Sequence, residues 1–412
     1  MKKPRENGDE PKADPRGPAV WENWIAALKG REFPGAYEVP LYTDAYVTGE
    51  LEEGYGPYRL LNLVPHIKPG VSRQAIVLRV EAQIVFDSED PLFRLDDLPR
   101  GTKCKRYHGG GRDDEVAALF SLSLGIRLKP GDWSRWFIPG EDPKGRPRPR
   151  HGEEPVLLRG ADRRVIPGPA REQSLNDDVL VKHLPLVEPS DAFAIVRAAR
   201  LYQDALWIAE SQPELSWLMF VSAVETAANH WRSAEETPRE RLHASKPELE
   251  EQLVAVGGEA HADKVAHMMV ESLGSTKKFV DFVSRFWPDP PSSRPPEWAQ
   301  FPWDDKTAIK KATRTIYDYR STALHDGTPF PLPMCEPPWI GGMPVPSERP
   351  GVQATYLPAA GVQWTKGDLP MHLHTFEYIV QGALCKWWNS MIPADDTAGG
   401  PSTGSGQAGC AT

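Results

Sequence analysis

The sequence predicts an α+β domain followed by an all-α helical bundle. Two observations carry that prediction: apolar and polar residues alternate through residues 74–86, whereas beyond residue 189 apolar residues recur at spacings of three and four. Size is a third, because 412 residues exceed what one hydrophobic core usually organises. The expected layout is a disordered tail over 1–18, an α+β domain over 19–185, a helical domain over 190–392 and a second disordered tail over 393–412.

The clearest strand is 74–86, where Val80, Ala82, Ile84 and Phe86 alternate with Arg79, Glu81, Gln83 and Val85, a pattern suited to a half-buried sheet. Residues 37–47 and 58–64 are further strand candidates. Residues 113–124 read as a helix because Asp113, Asp114 and Glu115 fill its first turn, where the positive end of the helix dipole favours acids. The Gly109 to Gly111 triplet with Arg112 offers amides that can converge on an anion. Three acids directly after it oppose an anion, and no P-loop ending or dinucleotide fingerprint accompanies it, so it reads as a flexible turn.

Ser190 is placed to cap a helix reaching about residue 211, with Phe193, Val196, Ala199, Leu206 and Ala209 along its apolar side. Ser211, Gln212, Pro213 and Glu214 read as a capping box with proline in the first turn, opening a helix to about residue 231. Leu215, Leu218, Phe220, Val221 and Val224 make that helix broadly apolar, which predicts a central place in the bundle. Further helices are expected at 247–256, 260–273 and 275–286, the last with Phe279, Phe282, Val283 and Phe286 on one face. The next begins near Asp304 or Asp305, buries Ile309, Ala312, Ile316 and Ala323, and stops at Asp326 and Gly327, where glycine suits a left-handed cap. Residues 329–350 hold too many prolines for a helix and are expected to wrap the bundle as an ordered loop. A last helix is expected over 369–391, before a tail too poor in apolar residues to offset its ordering entropy.

Composition narrows the function classes. The apolar share of 40% and charged share of 25% are those of a globular protein, while 42 prolines are about twice the usual share. The charged, proline-broken start is not expected to act as a signal peptide, and no apolar run reaches the roughly 18 residues of a membrane helix. Cys104, Cys335, Cys385 and Cys410 form no CxxC pair, which argues against a zinc knuckle and a disulfide framework and for a reducing, cytoplasmic setting. A net charge of −9 argues against general polyanion binding. Residues 100–171 nevertheless carry 16 Lys and Arg against 9 Asp and Glu, with Lys144, Arg146, Arg148 and Arg150 in one run. That run is either a solvated loop or a strip facing RNA. No cofactor is expected and no metal site: His372 and His374, two positions apart on a helix, should face about 200° from one another, and His108 near Cys104 lacks further ligands.

Chemistry concentrates in Tyr317-Asp318-Tyr319-Arg320-Ser321-Thr322-Ala323-Leu324-His325-Asp326-Gly327. Arginine with histidine suits cleavage of RNA. A neutral imidazole takes the proton of a 2′-hydroxyl, which attacks the adjacent phosphorus, while a guanidinium holds oxygens of the developing phosphorane. Two other arginine–histidine pairs of similar spacing, Arg59 with His66 and Arg146 with His151, lie in segments with no supporting pattern. Five positions along a continuous helix turn it by about 140°, so Arg320 and His325 should diverge unless the last turn unwinds, whereas Ser321 and His325 share a face. No orienting acid or nucleophile elbow accompanies Ser321 as a nucleophile.

The helical half resembles the HEPN family, and most closely its ApeA-like branch, over roughly residues 190–391. The resemblance rests on Tyr202 and Leu206 in one long helix, on Leu218, Ala223, Val224 and Glu225 in the next, and on Tyr319-Arg320-Ser321 followed by Leu324-His325-Asp326-Gly327. It implies a homodimeric helical bundle in which Arg320 and His325 of both subunits meet in one cleft and cleave RNA, with a role in prokaryotic antiviral defence. Glu225 falls where such domains show an acid, placed to orient Arg320 or to form an ordinary buried ion pair. Tyr319, Ser321 and Asp326 are supporting residues, and Ser321 stands where many catalytic members carry a larger polar residue. Two rival readings keep the fold and drop the chemistry: a silent dimerisation or partner-binding module, and a regulator binding a mononucleotide in the same cleft.

Overall fold

The computed structural model describes residues 17–30, 35–63, 73–82, 108–138, 143–149, 152–158, 163–175, 180–232, 237–269, 274–342, 345–351, 356–357 and 362–393. Its first half is built on an antiparallel sheet, its second on helices. Of the tails expected over 1–18 and 393–412, residues 1–16 and 394–412 lie outside the described residues, as do Cys104, Cys410 and Arg150.

The sheet comprises β1 (Gly35–Thr43), β3 (Tyr58–Asn62), β4 (Arg73–Ala82), β6 (Arg135–Phe137) and β7 (Arg146–Pro147) in the order β3-β4-β1-β6-β7, with β5 (Lys129–Pro130) also on β1. A short β2 (Tyr46–Thr48) pairs in parallel with β8 (Glu172–Ser174). Period-2 alternation does its expected work in β4, whose Ile76, Leu78 and Val80 are fully buried while Arg79 and Glu81 emerge on the other face. The strand predicted at 74–86 is described only to Ala82, and that predicted at 58–64 ends at Asn62, with Leu63 outside it. The strand predicted at 37–47 is two strands, because the chain breaks at Asp44, which is drawn into a buried ion cluster.

Two helices flank the sheet, α1 (Ala19–Leu28) and α2 (Arg112–Leu124). Pro18 has no side-chain acceptor for the first amides of α1, and Glu115 of α2 supplies one, accepting from Val20 N at 2.6 Å and Ala19 N at 3.2 Å. His108 closes on the same carboxylate at 2.6 Å. The acids predicted to open α2 each have a task. Asp113 accepts from the Tyr37 hydroxyl and the Trp133 indole, both at 2.7 Å, which ties α2 to the sheet. Asp114 accepts from Gly111 N at 2.9 Å, so a carboxylate occupies the amide that an anion nest would offer.

The helical half consists of α3 (Pro189–Ile208), α4 (Pro213–Arg232), α5 (Pro238–Ser245), α6 (Pro247–Met269), α7 (Ser275–Arg285), α8 (Lys306–His325), the single turn α9 (Leu332–Cys335) and α10 (Leu373–Asn389). Several expectations are corrected. Pro189, not Ser190, opens α3, because proline is favoured where the missing N–H has no helical partner. Ser211 does not cap α4: its hydroxyl donates to Ile208 O at 3.3 Å and finishes α3 instead. Leu215 is exposed, and α4 buries Trp217, Phe220, Val221 and Val224. The helices expected at 247–256 and 260–273 form one run bent at Gly258, whose φ of 71° is open to glycine. Residues 329–350 include the α9 turn, with Pro333 in its first positions. The last helix starts at Leu373, with His372 outside it as the N-cap residue. No helix among the described residues is long and apolar enough to cross a membrane.

The main hydrophobic core extends from Val20 to Trp388 through both halves, and Leu242 and Ala266 form a small second cluster between α5 and α6. Its polar centre is Arg127, which is fully buried and donates to Leu206 O at 2.9 Å, Ile166 O at 3.0 Å, Asp44 at 3.0 Å and Glu210 at 2.5 Å. Arg164 also reaches Asp44, and Glu210 accepts from Val165 N at 2.8 Å. Two guanidiniums and two carboxylates thus neutralise one another where sheet, α2 and α3 converge.

A second buried polar pair joins α3 to α10, with the Tyr202 hydroxyl donating to Glu377. Burial pushes the Glu377 carboxyl from an ordinary 4.5 up to about 7, against the Tyr202 hydrogen bond, Arg171 and Arg127, which pull it down. The folded chain therefore retains a proton that the unfolded chain releases. Stability from this group is fully present below pH 4.5 and is lost as pH rises through about 7. Glu377→Gln keeps an acceptor for Tyr202 without the charge. It is expected to flatten the melting temperature between pH 5 and 8 and to melt above the parent at pH 8; an identical pH profile in both proteins contradicts this assignment.

Candidate active site

The site grows out of the buried stripe of α8. Ile309, Ala312, Thr313, Ile316 and Tyr317 are buried at spacings of three and four, and Arg320 is the next position along that stripe. There the helix emerges beside α4, and the Arg320 guanidinium meets Glu225. The start and stop of α8 follow from local signals, since Asp305 accepts from Thr307 N at 2.9 Å and Ala308 N at 3.0 Å. At the far end Gly327 takes φ 68°, and Asp326 N donates to Thr322 O at 2.8 Å.

Glu225 holds two partners at once. One carboxylate oxygen accepts from Arg320 at 2.6 Å and the other from the Tyr317 hydroxyl at 2.8 Å. The Arg320 guanidinium also lies over the Tyr317 ring, 5.6 Å from its centre. Burial and the neighbouring Glu225 carboxylate push the Tyr317 phenol up to about 12, so it remains a donor at neutral pH. The Phe279 ring of α7 packs against Tyr317 with centres 5.1 Å apart and completes the support from below. The Arg320–Glu225 pair is partly open, with side chains 21% and 17% exposed, and contributes on the order of 1 kcal/mol to stability. It orients a cation more than it holds the fold together.

Arg320 and Glu225 are therefore brought together, whereas Arg320 and His325 are not. The helix remains regular through His325, so the last turn does not unwind and the two side chains diverge by about 140°. His325 is exposed, as is Asp326 just beyond the helix, and Ser321 is half-buried on the ridge it shares with His325. Tyr319 points elsewhere: its hydroxyl donates to Asp368 O at 2.8 Å and its ring edges onto Phe330, so it fastens the chain before α10 to α8. Lys144, Arg146 and Arg148 are exposed on the hairpin of β6 and β7.

Sequence reasoning included Tyr317 in the candidate segment but gave it no role, although its place one helical turn before Arg320 on the same stripe was a usable signal. It missed Glu348 altogether. That buried carboxylate accepts from Arg294 at 2.7 and 2.9 Å, from Phe301 N at 2.5 Å and from the Trp303 indole at 3.1 Å, pinning two proline-rich segments together. His372 and His374 do not face apart, because only His374 is helical; their rings stack with centres 6.0 Å apart. Burial beside His374 pushes His372 down to about 3, so it is neutral at physiological pH. His374 Nε2 donates to Ser347 O at 2.8 Å and is thereby occupied. Among the described residues no group of three or more His, Cys, Asp and Glu is arranged to hold a metal ion.

Set against protein-family models, curated proteins and solved structures, the chain has no match.

Proposed function

We propose that this protein is a metal-independent endoribonuclease of the HEPN type, working as a homodimer in a cytoplasmic setting and serving prokaryotic antiviral defence. The observation that carries the reading is the presentation of Arg320, held by Glu225 and Tyr317 at the end of a helix whose last residue is an exposed histidine. A structural ion pair needs neither the Tyr317 prop nor a histidine at the helix end.

In the proposed reaction His325 removes the proton of a ribose 2′-hydroxyl, and the 2′-oxygen attacks the adjacent phosphorus. Arg320 stabilises the charge gathering on the non-bridging oxygens. The bond to the 5′-oxygen breaks, and the His325 imidazolium returns its proton to that leaving group. The products are a 2′,3′-cyclic phosphate and a 5′-hydroxyl. Imidazole and guanidinium supply every proton transfer and charge contact in this scheme. The divergence of Arg320 and His325 within one helix is met by pairing Arg320 of one subunit with His325 of its partner.

End-labelled tRNA and mixed single-stranded RNA, incubated in EDTA, test the reading. Parental protein is expected to leave 2′,3′-cyclic phosphate ends. His325→Ala should lose activity on the order of 10²–10⁴-fold, the range of a positioned general base, and Arg320→Lys about 10²-fold, because a point charge replaces a planar fork. Equal cleavage by parent and His325→Ala would sink the mechanism. Dimers that turn over no RNA would favour the silent module, and saturable stabilisation by a mononucleotide would favour the nucleotide-binding regulator.

A further inference from the structure

The chain from Arg146 to Pro149 alternates arginine and proline on the outermost strand of the sheet. Proline fixes an extended backbone and removes the amides at Pro147 and Pro149, so this edge cannot take up another strand and its side chains become the contact surface. Arg146 lies opposite Trp136, and Arg148 N donates to Ser134 O at 3.0 Å, which continues the pairing. Alternation then puts Arg146, Arg148 and Trp136 on one face of the hairpin. Arg148 lies over two indoles, 5.4 Å from the centre of Trp133 and 5.8 Å from that of Trp136. Trp133 is a fixed floor, stacked on Tyr37 at 4.0 Å and hydrogen-bonded to Asp113 at 2.7 Å.

We infer that the β6–β7 hairpin binds an extended single-stranded segment of RNA, with Arg146 and Arg148 on successive phosphates and a base against the indole of Trp136. Two strand residues separate the arginines by about 6.6 Å, on the scale of the step between phosphates of an extended strand. Duplex RNA is instead held across its wide minor groove over about 16 base pairs, a span that strands of three and two residues do not reach. Arg148 leaves an exposed cation–π contact, which is weaker than the base–aromatic stacking that replaces it. Arg135, on the opposite face, does not take part: it donates to Lys144 O at 2.6 Å and sits 3.8 Å from Glu38, bracing the hairpin. The ligand class rests on the ribonuclease reading, which supplies RNA as the polyanion; the hairpin geometry supplies its single-stranded form.

The test uses full-length His325→Ala protein, so that binding is measured without turnover. Fluorescein-labelled oligouridine is titrated by anisotropy at several salt concentrations, beside a duplex RNA of equal length and with inorganic polyphosphate as competitor. Arg146→Ser/Arg148→Ser in that background should weaken oligouridine binding at least tenfold and make the log–log salt slope shallower by about 1.4, two phosphates' worth for a single strand. Trp136→Leu should weaken oligouridine binding while leaving polyphosphate binding as it was. The inference fails if oligouridine does not bind, if the arginine double variant binds as its background does, if the duplex binds as well, or if polyphosphate competes equally per charge. Failure here with RNA cleavage by the parent intact removes the hairpin site alone; hairpin binding without parental cleavage removes the ribonuclease reading alone.

Discussion

Replacing Arg127 by alanine is expected to lower the melting temperature by about 5 °C, the consequence of losing roughly 3–5 kcal/mol when one partner of a buried ion cluster is removed. The arginine is fully buried and serves two carboxylates and two carbonyls: Asp44 between β1 and β2, Glu210 after α3, Leu206 O in α3 and Ile166 O. Alanine leaves Asp44 and Glu210 facing one another with Arg164 alone, and Arg164 pairs with Asp44 from a position 19% exposed. It also leaves two buried carbonyls without their donor. Charge is the larger part of the penalty, so a compensated variant separates the terms. Arg127→Met combined with Asp44→Asn and Glu210→Gln should recover most of the lost stability, because neutral groups of similar volume replace the three buried charges and the charge that remains, on Arg164, is 19% exposed. Thermal unfolding of the three proteins decides it. A melting temperature within about 1 °C of the parent for Arg127→Ala, less than about 1 kcal/mol, would mean that water reaches the cluster and that its links between the two halves contribute little.

That cluster also marks where reading the sequence stopped. Helices in the second half announced themselves through neighbours a few residues away: Asp305 capping α8, Gly327 ending it, Pro213 opening α4. These are local effects, legible because cause and consequence share one turn of chain. The break between β1 and β2 has its cause in Arg127, 83 positions from Asp44, and no pattern around residue 44 reports it. Ser211 was misread for a related reason: a hydroxyl between two helices can serve the end of one or the start of the next, and packing chooses. At the candidate site the same division holds. The stripe that places Arg320 toward the bundle was visible, and Glu225 stood out from the resemblance. That Tyr317 props Glu225 while Tyr319, two positions on, fastens the segment before α10 instead depends on which way α4 and α10 approach α8. Helical spacing places the two tyrosines on different faces and leaves the partners unnamed.

The second large effect concerns the division of labour between subunits. On one regular helix Arg320 is turned to Glu225 and His325 to the exterior, so each alone is half a site. If Arg320 of one copy serves with His325 of the other, Arg320→Ala and His325→Ala each destroy both sites of a homodimer. A heterodimer of the two variants retains one intact combination, with arginine from the His325→Ala chain and histidine from the Arg320→Ala chain. Neither substitution threatens folding: His325 is exposed, and loss of the partly open Arg320–Glu225 pair is expected to shift stability by on the order of 1 kcal/mol. The decisive measurement is therefore RNA cleavage by heterodimers co-expressed with two different affinity tags and isolated through both, beside each variant homodimer and the parent in EDTA. Activity of about half the parental value in the heterodimer, against near-silent homodimers, is the expected result. Heterodimers no more active than either homodimer, under conditions in which the parent cleaves, would contradict a site shared between Arg320 and His325 of different subunits.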